Sequence, residues 1–172
     1  MLRRIVLTGA ECTGKSTLAQ ALSGYYGEPW TAEFVRAYVE QVQRELQVDD
    51  LPKIFAGQTA LEDTALKNTS RIIFHDTNLL SSIIYANHYF GYRTDAEQTR
   101  FLERDYALYL LCSPVGIDWR DDPGQRDGPE ARDTLQTKFK ASLDALRLPY
   151  IELHGDLNTR LGEAIRAVDA LL

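Results

Sequence analysis

Hydrophobic positions follow two alternating patterns along the chain. Short apolar runs are separated by longer segments with apolar residues at helical spacing, as expected for βαβ units with a parallel sheet. The predicted strands are Arg4–Thr8, Trp30–Phe34, Ile72–Asp76, Ala107–Cys112 and Tyr150–Leu153. Helices are predicted around Leu18, Ala21 and Leu22; Val35, Val39, Val42 and Leu46; Ile54, Leu61 and Ala65; Leu135, Phe139, Leu143 and Leu146; and Leu157, Leu161, Ile165 and Val168. We therefore predict an α/β fold, a five-stranded parallel sheet with helices on both faces.

One segment interrupts this alternation. Residues 113–132 are rich in proline, glycine, aspartate and arginine and contain few apolar residues, which predicts a loop or a mobile lid. The stretch Asp49–Pro52 instead predicts a helix start, because an acidic cap and an early proline suit the first turn. No repeat or long linker divides the chain, so we expect a single domain over residues 1–172.

Composition and charge narrow the classes of function. The 172 residues are 44% hydrophobic and 26% charged, as in ordinary globular proteins, and the net charge of −6 disfavours non-specific nucleic-acid binding. No apolar run approaches the roughly 20 residues of a transmembrane helix, so no membrane association is expected. Cys12 and Cys112 form neither a disulfide framework nor a metal motif, which favours a reducing, cytoplasmic location.

A phosphate-binding motif lies between the first predicted strand and helix. The sequence from residue 9 to 17, GAECTGKST, satisfies GxxxxGK[ST]. Its glycines allow a tight turn whose N–H groups face a phosphate, Lys15 would reach the β and γ phosphates, and Ser16 would contact Mg²⁺. The predicted nucleotide-binding residues are Gly9, Ala10, Glu11, Cys12, Thr13, Gly14, Lys15, Ser16 and Thr17. The guanine-reading N/T-K-x-D element is missing its acid at residues 137–140, so we predict ATP with Mg²⁺.

Two carboxylates end predicted strands, where ligands bind in parallel α/β sheets. Asp76 follows a hydrophobic strand and is predicted to hold Mg²⁺ directly or through water; a helix cap before Thr77 is the alternative. Glu33 is a candidate acceptor for the proton of an attacking hydroxyl, and Arg36 a candidate contact for substrate or phosphate. A surface ion pair between Glu33 and Arg36 explains the same spacing, so both interpretations stay open here.

Arginines in the predicted lid are candidates for stabilising a transferred phosphoryl group. Arg120, Arg126 and Arg132 are spaced six residues apart. A closing lid excludes water and brings positive charge onto the phosphate, although a solvated, charge-balanced loop has the same composition. Arg126 is the preferred catalytic candidate, because residues 122–126 form a turn sequence that could present it rigidly.

Taken together, the motifs resemble the ribosylnicotinamide kinase domain of NadR-type proteins. The resemblance is carried by GAECTGKST, EFVRAY from Glu33, AGQ from Ala56, FHDTN from Phe74, the arginine-containing lid and PYIE from Pro149. It implies a P-loop NTPase three-layer sandwich of the nucleoside/nucleotide-kinase type that transfers the γ-phosphate of ATP to nicotinamide riboside. It also implies phosphate contacts from Lys15 and Ser16, a metal role for Asp76, and base or substrate roles for Glu33 and Arg36.

This sequence departs from the family pattern at two positions. Asn78 stands where an aspartate is expected, which predicts one carboxylate fewer near the site. Ala32 stands where an aromatic residue is expected to stack on the nicotinamide ring. Trp30 lies on the same face of the predicted strand and is the candidate replacement.

The predicted function is therefore an ATP- and Mg²⁺-dependent kinase acting on the hydroxyl of a nucleoside-like small molecule, with nicotinamide riboside as the first candidate. The alternatives are another nucleoside, a nucleotide or a vitamin alcohol as acceptor, or a non-catalytic ATP-binding regulatory module. The sequence leaves the oligomeric state open.

Overall fold

Strands and helices alternate along the chain, as the hydrophobic pattern predicts. The computed structural model describes residues 1–120 and 128–172. The strands are β1 (Arg3–Thr8), β2 (Trp30–Thr31), β3 (Ile72–Asp76), β4 (Leu108–Cys112) and β5 (Tyr150–Leu153). The helices are α1 (Lys15–Tyr26), α2 (Phe34–Val42), α3 (Leu51–Leu66), α4 (Leu79–Phe90), α5 (Asp95–Leu102), α6 (Pro129–Ala145) and α7 (Leu157–Asp169). A short 3₁₀ turn at Val48–Asp50 leads into α3, which confirms the predicted helix start.

The five strands form one parallel sheet in the order β2-β3-β1-β4-β5. Because β1 lies in the centre, the loop that follows it emerges at the middle of the carboxyl edge of the sheet. Asp76, at the end of β3, is the register partner of Leu7 in β1. The parallel topology thus brings the end of β3 beside the phosphate-binding loop.

Both faces of the sheet are covered by helices. Along β1, Ile5 and Leu7 belong to the apolar cluster under α1 and α7, whereas Val6 belongs to the opposite cluster under α3, α4 and α6. All three side chains are fully buried, which explains why β1 is a continuous apolar run instead of an alternating one. The predicted three-layer α/β sandwich is confirmed.

Several element boundaries differ from the sequence-based prediction. β2 ends at Thr31 instead of Phe34, and α2 ends at Val42, before Leu46. Helix α6 begins at Pro129, so the last residues of the predicted lid, including Arg132, are helical. The sequence pattern does not predict helices α4 and α5. In α4, apolar side chains cover so much of the helix surface that no single apolar stripe marks the helical period.

Helix α2 starts early because Phe34 is anchored on α3. The Phe34 ring packs against Gly57 so closely that a Cβ at Gly57 would lie 2.0 Å from its Cζ. The backbone N–H of Phe34 donates to Oε1 of Gln58 at 3.2 Å, which satisfies a donor that the first turn of a helix leaves unpaired. These contacts fix the junction at Glu33, immediately before α2.

In the described parts of the chain, no helix is long and apolar enough to cross a membrane.

We predict that Gly57→Ala destabilises the protein, although alanine is the better helix former by about 1 kcal/mol. The added Cβ would overlap the Phe34 ring, and overpacking of this kind costs about 1–3 kcal/mol. Urea denaturation measures the change in free energy of unfolding. Gly24→Ala in α1 is the matched control, because no atom beyond the adjacent backbone of its own helix lies within 4 Å of its added Cβ, and we expect it to be neutral or stabilising. A Gly57→Ala protein as stable as the parent would contradict the packing argument.

Candidate active site

The loop between β1 and α1 has the backbone of a phosphate-binding loop. Gly9 and Gly14 adopt φ angles of +122° and +81°, and Cys12 also has a positive φ of +53°. At Gly9 a Cβ would lie 2.9 Å from the carbonyl oxygen of Cys112, so the loop approaches the end of β4 more closely than other residues allow. Gly14 precedes the first residue of α1, whose N-terminus therefore points at the loop.

Lys15 reaches back across this loop from the first position of α1. Its Nζ donates a hydrogen bond to the carbonyl of Ala10 at 2.6 Å. The positive charge of Lys15 also acts on Glu33 and Asp76, lowering the pKa of each carboxyl against the effect of burial. The three predicted residues Lys15, Glu33 and Asp76 are thus brought together.

Two side chains that sequence reasoning missed hold the loop in place. The Arg160 guanidinium, in α7, is buried and donates to the carbonyls of Thr13 and Ser113, both at 2.8 Å. Gln136, in α6, accepts from the N–H of Ala10 at 3.0 Å and donates to a β4 carbonyl at 3.1 Å. Both residues lie on amphipathic helices far along the chain, and no local sequence signal marks them.

Arg132, one of the arginines of the predicted lid, contacts the loop. It lies in the first turn of α6 and donates to the carbonyls of Cys12 at 3.4 Å and Ile117 at 3.0 Å, with its guanidinium 5.5 Å from the centre of the Trp119 ring. Its buried Nε has no hydrogen-bond partner among the described residues. Arg126, the preferred catalytic arginine, lies outside the described residues.

Asp76 and Ser16 form a pair suited to a divalent cation. Ser16 Oγ lies 2.5 Å from Oδ2 of Asp76, and Asp76 is almost fully buried. Its Oδ1 has no hydrogen-bond partner within the described chain. Burial raises the pKa of the Asp76 carboxyl, which Lys15 and Ser16 oppose. Carboxylate and hydroxyl oxygens are the ligand type that Mg²⁺ prefers, so the donor set fits this ion.

Asn78 does not point into this pair. Its Nδ2 donates to the hydroxyl of buried Tyr109 at 3.1 Å, and Asn78 itself is fully buried. That asparagine here leaves one carboxylate fewer near the site stays a prediction, and the asparagine side chain itself is directed into the core.

Glu33 is the residue immediately before α2, where its side chain makes no capping hydrogen bond. It stands after β2 instead of ending it, so it turns with the start of the helix toward the loop. The side chain is partly exposed, yet burial of the carboxyl raises its pKa to about 6. Lys15 and Arg36 lower this pKa, while Asp76 and Glu11 raise it. A carboxyl with this pKa is well suited to accept a proton near neutral pH.

A cavity of about 470 Å³ opens beside Glu33. Glu11, Glu33 and Glu45 contribute carboxylates to its described lining, whereas Arg36 contributes the only cation there. The cavity is therefore predominantly anionic.

Aromatic side chains of α4 form another part of the cavity wall. Tyr85 and Tyr89 stack with ring centres 6.1 Å apart and planes 7° from parallel, and Phe90 lies beside them. Trp30, which is predicted to supply the substrate-stacking ring, lies in another part of the structure. Trp30 packs against the apolar cluster under α1 and α7, and it does not belong to the lining that the structure describes.

A family model described as an AAA domain (AAA_28) matches residues 4–160. The trifunctional NAD biosynthesis/regulator protein NadR from Salmonella typhimurium is 27% identical over 114 residues, which are 64% of this chain and 28% of the relative. The Escherichia coli protein of the same name gives the same values. The chain thus spans little more than a quarter of the length of these curated relatives.

Solved structures show the same fold. A NadR protein in complex with NR has a TM-score of 0.78 and 21% identity, covering 98% of this chain and 51% of that one. A NadR protein in complex with NAD and AMP-PNP has a TM-score of 0.80 and 21% identity, covering 98% and 49%. Thymidylate kinase from Ehrlichia chaffeensis has a TM-score of 0.70 and 14% identity, covering 97% and 98%.

These matches confirm the predicted nucleoside/nucleotide-kinase-like fold and the resemblance to NadR. The chain belongs to the AAA-domain family of P-loop proteins that the matching model, over residues 4–160, defines.

Proposed function

We propose that this protein is an ATP-dependent kinase that phosphorylates the hydroxyl of a nucleoside, with nicotinamide riboside as the acceptor and nicotinamide mononucleotide as the product. The observation that carries the proposal is the position of Glu33, a carboxylate of pKa about 6 in the wall of a cavity next to the phosphate-binding loop. A nucleotide-binding module without acceptor chemistry has no need of a proton acceptor at this point.

The phosphate donor, ATP, is assigned to the phosphate-binding loop and the residues next to it. The N–H groups of residues 9–14 and the Lys15 ammonium would hold the phosphates of ATP, as they do generally in P-loop proteins. Ser16 and Asp76 would hold Mg²⁺, which supplies neutralisation of phosphate charge when bound. The AMP-PNP complex of a NadR protein with the same fold supports ATP as the donor.

On the acceptor side, Glu33 takes the proton of the hydroxyl. The hydroxyl oxygen then forms a bond to the γ-phosphorus as the bond from that phosphorus to the bridging oxygen of ADP breaks. Lys15 stabilises the negative charge on the transferred group and on the departing ADP. The proton remains on Glu33 until it is released to solvent.

The charge of the cavity favours a nucleoside over a nucleotide. The three carboxylates and one guanidinium of the described lining would repel the phosphate of a nucleoside monophosphate and attract a cation. Nicotinamide riboside carries a positive pyridinium ring, and the stacked pair Tyr85 and Tyr89 offers it aromatic faces. We read NR, the ligand of one NadR neighbour, as nicotinamide riboside.

We expect nicotinamide mononucleotide to be the main product when Mg·ATP is supplied with a mixed panel of nucleosides, nucleoside monophosphates and vitamin alcohols. Mass spectrometry identifies the phosphorylated species, and Lys15→Ala, which removes the phosphate-binding cation, serves as the inactive control. A nucleoside diphosphate as main product would contradict the charge argument. A different nucleoside monophosphate as main product would support the kinase activity with another acceptor. ATP binding without any phosphorylated product would favour the regulatory module.

Glu33→Gln should lower kcat by about 10²- to 10⁴-fold, because the amide cannot accept the hydroxyl proton. Steady-state kinetics with the acceptor identified above measures the loss. Glu40→Gln removes a carboxylate from an exposed position of the same helix and should retain the parent's activity. Turnover of Glu33→Gln within a few-fold of the parent would exclude Glu33 as the base.

The rate should also depend on pH through Glu33. A raised pKa means that the carboxyl keeps its proton up to about pH 6, so the base form prevails only above that value. We expect kcat/KM to be level near pH 8, to fall through about pH 6, and to be about tenfold lower at pH 5. The residual activity of Glu33→Gln should lack this transition. A profile level down to pH 5 would contradict the assignment.

A further inference from the structure

The side chain of Glu11 faces the acceptor cavity, although its backbone belongs to the phosphate-binding loop. Glu11 lies in the cavity lining together with Glu33 and Tyr85. Its Oε2 accepts a hydrogen bond from the Tyr85 hydroxyl at 3.0 Å. Its Oε1 is buried and has no hydrogen-bond partner among the described residues.

An unpaired buried carboxylate oxygen is costly, because it has lost water without gaining a donor. The loop therefore holds, on a residue of the cavity lining, a carboxylate oxygen that a hydroxyl group of a ligand reaching it would satisfy. The Tyr85 hydroxyl donates a hydrogen bond to Glu11. The Tyr85 oxygen can therefore still accept a hydrogen bond from a ligand. Together they offer two adjacent acceptors.

The surroundings hold this pair rigidly. The Tyr85 ring stacks on Tyr89 and packs edge-on against buried Phe139 at 5.6 Å between ring centres. Glu11 is tied to the backbone of the loop, which Arg160 and Gln136 fix. A rigid acceptor pair discriminates well, because an analogue that lacks the donor leaves the carboxylate unpaired.

The position of the pair in the cavity indicates which part of a nucleoside it meets. Glu11, Tyr85 and Glu33 are close enough that the charges of both carboxylates act on the Tyr85 hydroxyl. The walls from α2 and α3 are instead apolar at Val39, Leu51 and related positions. With the reacting hydroxyl at Glu33, the sugar ring, which directly follows it, would lie at the polar end and the base toward the apolar and aromatic walls.

We propose that Glu11 and Tyr85 bind the ring hydroxyls of the acceptor's ribose and so select ribonucleosides over their 2′-deoxy or 3′-deoxy analogues. This inference rests on the proposed kinase function and specifies the sugar that the site accepts. It gives Glu11 a role toward the acceptor in addition to the role of its backbone toward the nucleotide.

The test compares kcat/KM for nicotinamide riboside with kcat/KM for its 2′-deoxy and 3′-deoxy analogues, which share its base and charge. We expect the parent protein to prefer the riboside over at least one analogue by tenfold or more, the usual loss when a hydrogen bond to a charged group is removed. In Glu11→Gln the riboside should lose about 10- to 100-fold while that analogue changes little, so the preference largely disappears. Tyr85→Phe should reduce the same preference.

Glu45→Gln is the matched control, because it removes a carboxylate from the same cavity at a position other than Glu11. It should leave the ribose preference unchanged even where it alters the KM of the cationic acceptor. The Kd of ATP, measured by calorimetry, should be similar in Glu11→Gln and in the parent, showing that the loop backbone is intact.

Three results would overturn the sugar assignment. Equal kcat/KM of the parent protein for the riboside and both deoxy analogues would show that the site does not select for the ribose hydroxyls. Equal losses for riboside and analogues in Glu11→Gln would indicate a distorted loop and no contact to the sugar. Absence of turnover with every acceptor would overturn the proposed kinase function as well, whereas the first two results leave that function standing.

Discussion

The buried guanidinium of Arg160 is the contact on which the site depends. It donates to the carbonyls of Gly155 in the turn after β5, Thr13 in the phosphate-binding loop and Ser113 directly after β4. Burying a cation costs free energy unless hydrogen bonds replace its water, and these three carbonyls do so. One side chain thereby sets the spacing between the loop and the adjacent strand ends. Removing it would leave carbonyl groups of the loop unpaired as well as loosening the geometry.

Lys15, Asp76 and Glu33 are positioned around the loop that Arg160 holds in place. Lys15 lies over it, Asp76 reaches it from β3 through Ser16, and Glu33 approaches from the start of α2. Burial raises the pKa of both carboxyls and the charge of Lys15 lowers it, while the charge of Asp76 raises the pKa of Glu33 further. The result is a carboxylate that loses its proton near pH 6, so it is ionised at neutral pH and still basic enough to take a proton.

The proposed acceptor cavity combines negative charge with aromatic surface. Among the residues that the structure describes, three carboxylates and one guanidinium make its field negative, whereas Tyr85, Tyr89 and Phe90 give it aromatic surface. Such a site suits a neutral or cationic molecule with a flat ring and hydroxyl groups. In contrast, a kinase for nucleotides has to neutralise the phosphate already present on its acceptor. In the proposed reaction, the phosphate-binding loop would hold the phosphate donor and the anionic cavity would hold the acceptor.

The sequence by itself determined the features that depend on short-range pattern. Five strands, the helix start near Pro52 and the phosphate-binding loop follow from apolar period, capping chemistry and glycine placement, all of which act over a few residues. Asp76 was identifiable because a hydrophobic run ends there. Only the tertiary structure decided that Phe34 starts a helix against Gly57, that Asn78 turns into the core, and that α4 instead of Trp30 supplies the aromatic wall. Arg160, Gln136 and the side chain of Glu11 act through partners distant in the sequence, and the direction of a side chain across such distances depends on how the helices pack on the sheet.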